Sequence, residues 1–231
     1  MSKKCPVRKN VVLSQDCVEC SAKACKRREA RRYDLMVIGV DQSYKNCGIS
    51  IAADGELLKV SNLSFKGVES HSKARKLLAA KLHGIIELNE RKADQMICVF
   101  ERIRQFSRGF ISMPYITGMG ALNATMVDAC DDHGVLCYSV NTKSWKSAVV
   151  GTCKPKDNEY GVPPEKFPTV EWVIERGFEN DILKPVEGRR TKNTFIAEDG
   201  IRYYYDDDAA DGAGIAMSPF CVDSERLKLE V

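Results

Sequence analysis

Four acidic residues stand in apolar surroundings that would otherwise form the core of a protein. Asp41 ends one apolar run and Glu101 interrupts another. Asp208 and Asp211 lie three residues apart in DDDAADGAGIAMSPF, a spacing that places both on one face of a helix. Because an unpaired buried charge is strongly unfavourable, each of these acids needs a cation or a metal ion as its partner.

Four carboxylates that converge repel one another strongly unless cations neutralise them. Two magnesium ions, roughly 3.5 to 4 Å apart, would offset the repulsion and form a site for in-line attack of water on a phosphodiester. We therefore expect a Mg²⁺ site, or a Mn²⁺ site, built from these acids. For Asp41 alone, a turn-capping carboxylate is the alternative. For Asp206 and Asp207 we favour capping of the helix or interaction with its dipole.

The elements that must position these acids follow from the hydrophobic pattern. The stretch LMVIGVDQSYKNCGISI, residues 35–51, is typical of a β-hairpin with Asp41 at its tip. Further along, the pattern predicts strands over 57–65, 95–103 and 135–141, helices over 71–92, 113–132, 144–149 and 167–176, a loop over 151–164 and a hairpin over 194–205. The helix over 71–92 is amphipathic, with an apolar side made of Leu77, Leu78, Leu82, Ile85, Ile86 and Leu88.

Length and charge restrict the class of protein. A chain of 231 residues can bury a sizeable core as one domain with an appendage. It has no apolar run of roughly 20 residues and no signal-peptide pattern, so we expect a cytoplasmic protein that does not enter membranes. Residues 1–32 carry ten Lys or Arg against three Asp or Glu. Such a basic segment attracts a polyanion such as nucleic acid, a solvated tail being the alternative.

The ten cysteines fall into two groups. In an intracellular chain they indicate reduced thiols or metal ligands rather than disulfides. Cys5, Cys17, Cys20 and Cys25 are clustered, with one CxxC pair, and suit a tetrahedral structural Zn²⁺ site. Unligated thiols in a tail and redox sensing are the alternatives. We expect the other six to be small core residues, namely Cys47, Cys98, Cys130, Cys137, Cys153 and Cys221.

Four motifs, VIGVDQSYKNCGISI, ICVFERI, WKSAVVG and DAADGAGIA, resemble those of RuvC-type Holliday junction resolvases of the ribonuclease H-like superfamily, in the same order and at similar separations. The resemblance covers about residues 35–219. It implies an α/β ribonuclease H-like fold, a five-stranded mixed sheet flanked by helices. The nuclease domain would span 33–231, after a small Cys-rich N-terminal extension over 1–32.

The resemblance also implies roles for individual residues. Lys146, in WKSAVVG, matches a basic residue of the family's active site. The catalytic, Mg²⁺-binding acids would be Asp41, Glu101, Asp208 and Asp211. A further family lysine has three competing matches, of which we favour Lys166 as a DNA-binding residue over Lys154 and Lys156.

Other implied DNA contacts follow the second acid. An aromatic residue would wedge into the junction, and we favour Phe110 over Phe106. Three arginines would hold backbone phosphates, although each is also compatible with ordinary surface charge; they are Arg102, Arg104 and Arg108.

The implied activity is symmetric cleavage of a four-way DNA junction by a homodimer, whose two-fold symmetry matches that of its substrate. The N-terminal extension and an inserted hairpin over 184–205 resemble bacteriophage-encoded members more than the cellular enzyme. The expected location is therefore the cytoplasm of a bacterium or of a phage-infected cell. Both additions would suit other branched DNA as well.

Three other classes share part of the pattern. Sugar kinases and actin-like ATPases begin with a similar hairpin, but they need a second lobe and glycine-containing phosphate loops. Proofreading exonucleases usually pair the first Asp with a Glu two residues later, where this chain has Ser43. The non-enzymatic alternative is a junction- or RNA-binding module that keeps the fold without nuclease activity, as in YqgF-type proteins. Retention of all four acids argues against it.

Overall fold

The computed structural model describes residues 33–103, 113–189 and 192–230. The strands are β1 (Tyr33–Asp41), β2 (Asn46–Ala53), β3 (Glu56–Ser64), β4 (Ala93–Glu101), β5 (Leu136–Val140), β6 (Leu183–Pro185), β7 (Phe195–Ile196), β8 (Arg202–Tyr205) and β9 (Leu227–Glu230). The helices are α1 (His71–Asn89), α2 (Met113–Asp131), α3 (Thr142–Trp145), α4 (Phe167–Ile174), α5 (Glu179–Ile182) and α6 (Asp207–Cys221). Within these ranges no helix is long and apolar enough to cross a membrane.

The main sheet is mixed and has the strand order β3-β2-β1-β4-β5-β9. The first three strands form the predicted antiparallel meander, and β4 and β5 run parallel to β1. The expectation of five strands is wrong, because β9 adds a sixth strand that pairs antiparallel with β5. This strand is only four residues long, and its pairing covers what would otherwise be an exposed edge of β5.

A second, smaller sheet has the order β6-β8-β7. Strands β7 and β8 form the hairpin predicted over 194–205, and the turn contains Gly200 with a φ of 77°. Strand β6 joins the other edge of β8, so the two ends of the inserted segment over 184–205 pair antiparallel, as a hairpin there requires.

Helices cover both faces of the main sheet. Alternate residues of β1 point in opposite directions, as a strand requires. Ile38 and Val40 pack with α1 and α2, whereas Val37 packs with Ile215 of α6 and with Trp145. Helix α4 packs against α6 and closes a third apolar cluster on the same side. The main sheet is therefore enclosed between α1 and α2 on one face and α6 on the other.

Helix α1 buries a narrower stripe than its sequence predicts. Leu78, Leu82 and Ile86, at a spacing of four, are buried. The inclusion of Leu77 and Leu88 in the buried side is wrong, since they are 45% and 70% exposed. Both lie at the edges of the apolar side of α1, where the helix no longer contacts the sheet.

Glycines let α6 approach the sheet closely. A methyl group added at Gly48 would lie 1.8 Å from the carbonyl oxygen of Asp208, and one at Gly39 would lie 2.2 Å from the backbone nitrogen of Ala216. Gly212 of α6 in turn faces the backbone of Gly48. Because no side chain separates the two backbones, α6 holds its acidic first turns directly over the ends of β1 and β2.

The cysteines in the described ranges are divided between core and surface. Cys47, Cys98, Cys130 and Cys137 are buried, as predicted. The expectation is wrong for Cys153 and Cys221, which are exposed. Cys153 lies in the loop after α3 and Cys221 ends α6, so neither reaches an apolar layer. Cys5, Cys17, Cys20 and Cys25 lie outside the described residues.

Candidate active site

Two of the predicted acids end neighbouring parallel strands. Asp41 is the last residue of β1 and Glu101 is the last residue of β4. In the ladder between these strands Val40 is opposite Phe100, so the two acids occupy equivalent positions at the same edge. Because the carboxyl ends of parallel strands meet there, the sheet brings both carboxyl groups to one place.

The other two acids come from α6. Asp206 caps this helix, since its side chain accepts a hydrogen bond of 3.1 Å from the backbone N–H of Ala209. Asn62 of β3 donates to the other oxygen of Asp206 at 2.6 Å. The prediction that Asp206 acts as a cap is therefore confirmed. Asp208 and Asp211 follow on the side of the helix that faces the sheet, and Asp211 is 3% exposed.

The charges of the other three acids act on Asp41. Burial raises the pKa of Asp41 well above its ordinary value, and the charges of Asp211, Glu101 and Asp208 raise it further. The ammonium group of Lys166 opposes this rise. The cluster thus carries more negative charge than an apolar setting favours, which is the situation that a bound cation relieves.

Asp208 is less deeply buried and shows a smaller shift. Burial raises the pKa of Asp208 to about 6, and the neighbouring charges of Asp207 and Asp206 add to the rise. Lys166 and a hydrogen bond from the side chain of Asn46 lower it. This carboxyl group therefore changes its charge close to neutral pH.

Two lysines neutralise Asp211. The ammonium of Lys166 donates a hydrogen bond to Oδ2 of Asp211 and lies 3.6 Å from Oδ2 of Asp207. The Nζ atom of Lys146 lies 3.2 Å from Oδ1 of Asp211. Burial alone lowers the pKa of Lys166, but the charges of Asp211 and Asp41 outweigh it and raise the pKa overall. Lys166 is thus held in its charged form.

The structure distinguishes the three lysines that the sequence left in competition. Lys166 lies among the acids, whereas Lys156 pairs with Glu171 on the surface, at 2.5 Å. Lys154 is exposed in the loop after α3, where its backbone N–H donates to Thr152. Of the three candidate lysines, Lys166 is therefore the one that belongs to the acidic cluster.

Polar residues that the sequence did not single out hold Glu101 in place. The hydroxyl of Thr142 donates a hydrogen bond to Oε1 of Glu101. Gln42 bridges to its backbone, donating to the carbonyl oxygen at 2.6 Å and accepting from the N–H at 3.2 Å. Of these two residues, only Gln42 could have been recognised in the sequence, because it is the polar residue that directly follows Asp41. Thr142 is brought to Glu101 by the tertiary fold.

The predicted DNA-contacting residues are only partly described. The guanidinium of Arg102 donates to the hydroxyl of Ser139 at 3.2 Å and to its carbonyl oxygen at 3.4 Å. Ser139 in turn donates to Glu230, so Arg102 is tied to the β5–β9 edge of the sheet. Its contact with DNA stays a prediction. The remaining predicted residues lie outside the described ranges: Arg104, Phe106, Arg108 and Phe110.

The donor atoms of the acidic cluster are of the kind that a hard divalent cation prefers. All four acids offer carboxylate oxygens, which Mg²⁺ and Mn²⁺ prefer. Within the described ranges Oδ1 of Asp211 is buried and has no hydrogen-bond partner, although Lys146 lies nearby. No three of the acids place oxygens within 4.8 Å of one another in that part of the chain. The ammonium groups of Lys146 and Lys166 both contact Asp211, so this carboxylate already attracts positive charge.

A separate cluster of sulfur atoms lies in the core. The Sγ atoms of Cys98, Cys130 and Cys137 are within 4.8 Å of one another, and all three residues are buried. Cys98 and Cys137 are partners in the β4–β5 ladder, and Cys130 comes from α2. Their soft thiol ligands differ in kind from the carboxylates at the strand ends.

Neither a family model nor a curated protein sequence matches the chain. Among solved structures, T. thermophilus RuvC in complex with a Holliday junction substrate is similar over 84% of this chain and 99% of that chain, with a TM-score of 0.54 and 14% identity. A second Thermus thermophilus RuvC structure has the same identity and coverage and a TM-score of 0.48. The conclusion about the fold rests on the first of these two structures. The chain therefore has a RuvC-like form of the ribonuclease H-like fold, as the motifs predict.

Proposed function

We propose that this protein is a metal-dependent endonuclease that cleaves branched DNA, with the four-way junction as its main substrate. The observation that carries this proposal is the gathering of Asp41, Glu101, Asp208 and Asp211 with two lysines at the ends of β1 and β4. A purely structural role does not require four acids in an apolar setting. The RuvC-like fold supports the choice of substrate class.

The acids would hold the metal. Asp41, Glu101, Asp208 and Asp211 are the ligands that we assign to Mg²⁺ or Mn²⁺. Bound there, the ions would supply positive charge that activates water and stabilises the departing oxygen of a phosphodiester. The repulsion that raises the pKa of Asp41 is the electrostatic reason for such binding.

The other residues of the site would position and neutralise. Lys146 and Lys166 present ammonium groups that would balance the charge of the scissile phosphate. Thr142 and Gln42 fix the side chain and the backbone of Glu101, which keeps this carboxylate directed towards the cluster. Asn46 gives the side chain of Asp208 a hydrogen-bond partner.

A homodimer would present two identical sites to a junction that has matching two-fold symmetry. We retain this assembly as part of the proposal, together with a basic N-terminal segment over residues 1–32 that binds DNA non-specifically and holds Zn²⁺ through its cysteines. The predicted phosphate contacts of Arg102, Arg104 and Arg108 and the wedge residue Phe110 belong to the same proposal.

The test is a comparison of Asp41→Asn with the unmodified protein on a four-way junction in Mg²⁺. Because a metal ligand is lost, we expect cleavage to fall by about 100-fold or more. Asp128→Asn is the matched control, since Asp128 is an exposed acid on α2. The proposal fails if Asp41→Asn cleaves as fast as the unmodified protein and the Asp128 control.

A further inference from the structure

A groove with a volume of about 640 Å³ opens at the end of the main sheet where β2 begins and β3 ends. It lies between the turn that follows β1, the end of β3 and the small three-stranded sheet. Three lysines and three aromatic residues form most of its wall: Lys45, Lys66, Lys184, Tyr44, Phe65 and Tyr204. The combination of cations with aromatic rings is what distinguishes this groove from the acidic site.

Asn46 links the groove to the acidic cluster. This residue lines the groove and begins β2, two residues before Gly48, whose backbone packs against that of Asp208. The turn that carries Tyr44 and Lys45 is fixed by Ser43, whose hydroxyl donates to the carbonyl oxygen of Asn46 at 2.7 Å and accepts from the N–H of Lys45 at 3.2 Å. A ligand in the groove would therefore adjoin the bond that the acids are proposed to cleave.

The charge of the groove is opposite to that of the acidic cluster. Three lysines face one acid, Glu187, among its lining residues. Lys184 is held in place, because its ammonium donates to the carbonyl oxygen of Asp181 at 2.5 Å. Lys45 and Lys66 are exposed. Such a surface attracts a chain of phosphates, and the attraction weakens as salt is added.

The aromatic residues indicate what accompanies the phosphates. Tyr204 is half-buried on β8, directly opposite Lys184 on β6. The ring of Tyr44 is stacked on His71, with centroids 3.9 Å apart, so His71 supports one face of this ring. Aromatic rings beside lysines are the arrangement by which proteins bind single-stranded nucleic acid, since every base has a face that can stack.

The size of the groove suits a short single-stranded segment better than a double helix. Its volume falls in the range of small-ligand pockets, roughly 300 to 1,000 Å³. A duplex would lie across its mouth, whereas a nucleotide without a pairing partner can enter. We propose that this groove binds one or two unpaired nucleotides of the DNA strand next to the cleavage site. This inference rests on the proposed function and refines its substrate: branched DNA with unpaired nucleotides at the branch point.

The test is binding of a fluorescent oligothymidine, followed by anisotropy in chelator so that no cleavage occurs. The unmodified protein is compared with a Lys45→Gln, Lys66→Gln double variant and with Tyr204→Leu. We expect each to weaken binding by roughly tenfold. The double variant should also reduce the slope of log affinity against log salt by roughly 0.7 for each lysine. Lys228→Gln, an exposed lysine of β9, is the control and should bind normally.

Two results would overturn the inference. One is unchanged oligothymidine affinity and salt slope in the double variant and in Tyr204→Leu. The other is competition by linear duplex as effective as competition by unlabelled oligothymidine. Junction cleavage by the unmodified protein is measured in parallel. Absence of junction cleavage by the unmodified protein would contradict the proposed nuclease activity. The oligothymidine measurements report on the groove independently of cleavage.

Discussion

Asp211 is the most enclosed of the four acids, and two lysines balance it. Its side chain is 4% exposed, whereas those of Lys146 and Lys166 are 13% and 30% exposed. A buried carboxylate that loses one of its cationic partners is left partly uncompensated. Each lysine therefore stabilises the fold in addition to its part in the chemistry that we propose.

Lys166→Met should destabilise the metal-free protein by about 1 to 3 kcal/mol, a range reduced for the partial exposure of the lysine. Mg²⁺ should restore part of this loss, because it replaces the missing positive charge. Denaturant unfolding in chelator and in Mg²⁺ measures both effects. Lys156→Met is the control and should change stability by less than about 0.5 kcal/mol, since its pair with Glu171 is exposed. Equal destabilisation by the two variants would contradict the role of Lys166.

The acids also predict how stability depends on pH. The pKa of Asp208 is about 6 in the folded protein against an ordinary value of 3.8, so the folded state binds its proton more tightly than the unfolded state does. This group therefore favours folding below its ordinary pKa, and the benefit is lost as pH rises through about 6. Asp41 shifts in the same direction.

We accordingly expect Mg²⁺ to raise the melting temperature more at pH 7.5 than at pH 5, because protons and metal compete for the same oxygens. Thermal unfolding in chelator and in Mg²⁺ across this interval provides the measurement. Asp208→Asn should reduce the difference between the two pH values. A stabilisation by Mg²⁺ that does not vary with pH would contradict the assignment of these acids as ligands.

At the scale of single residues, the sequence identifies the acids but not the residues that hold them in place. Asp41 and Glu101 are recognisable because a carboxylate ends or interrupts an apolar strand. Thr142 reaches Glu101 across 41 positions of the chain, and no local pattern records such a contact. Lys166 was one of three candidates for the same reason, since the path of the loop after α3 decides which lysine arrives.

At the scale of elements, the close contact between α6 and β2 positions the acids. Gly48→Ala would place a methyl group against the backbone of Asp208, and backbone cannot give way as a flexible side chain can. We expect a loss of about 1 to 3 kcal/mol in stability. Cleavage should fall more than stability explains, because α6 carries two of the ligands. Denaturant unfolding and initial cleavage rates on the folded fraction separate the two effects.

Gly84→Ala is the matched control for this substitution. Gly84 lies inside α1, and a methyl group there meets no atom within 4 Å among the described residues. Alanine favours a helix over glycine by up to about 1 kcal/mol, so the control should be neutral or stabilising. Normal cleavage and stability in Gly48→Ala would show that α6 tolerates displacement.

Elements with a clear period were predictable from the sequence, and short ones were not. The hairpin of β1 and β2 follows from its apolar runs, and α1 follows from its apolar stripe. Strands β6 and β9 have three and four residues, and each is defined by a distant partner rather than by its own pattern.

At the scale of the whole molecule, the resemblance of the four motifs predicted the fold. In the structure β1 and β4 are neighbours in the sheet, and α6 packs mainly against β1 and β2. The groove beside the site was not predictable, because the turn after β1, the end of β3 and the small sheet converge only in the folded chain.

The most direct test of the central claim is a cleavage assay on an immobile four-way DNA junction beside linear duplex and a Y-shaped fork, in Mg²⁺, Mn²⁺ or chelator. The proposed function predicts metal-dependent nicks that are paired across the junction, with little cutting of linear duplex. Tight junction binding without cleavage in either metal would contradict it and would identify the protein as a binding module.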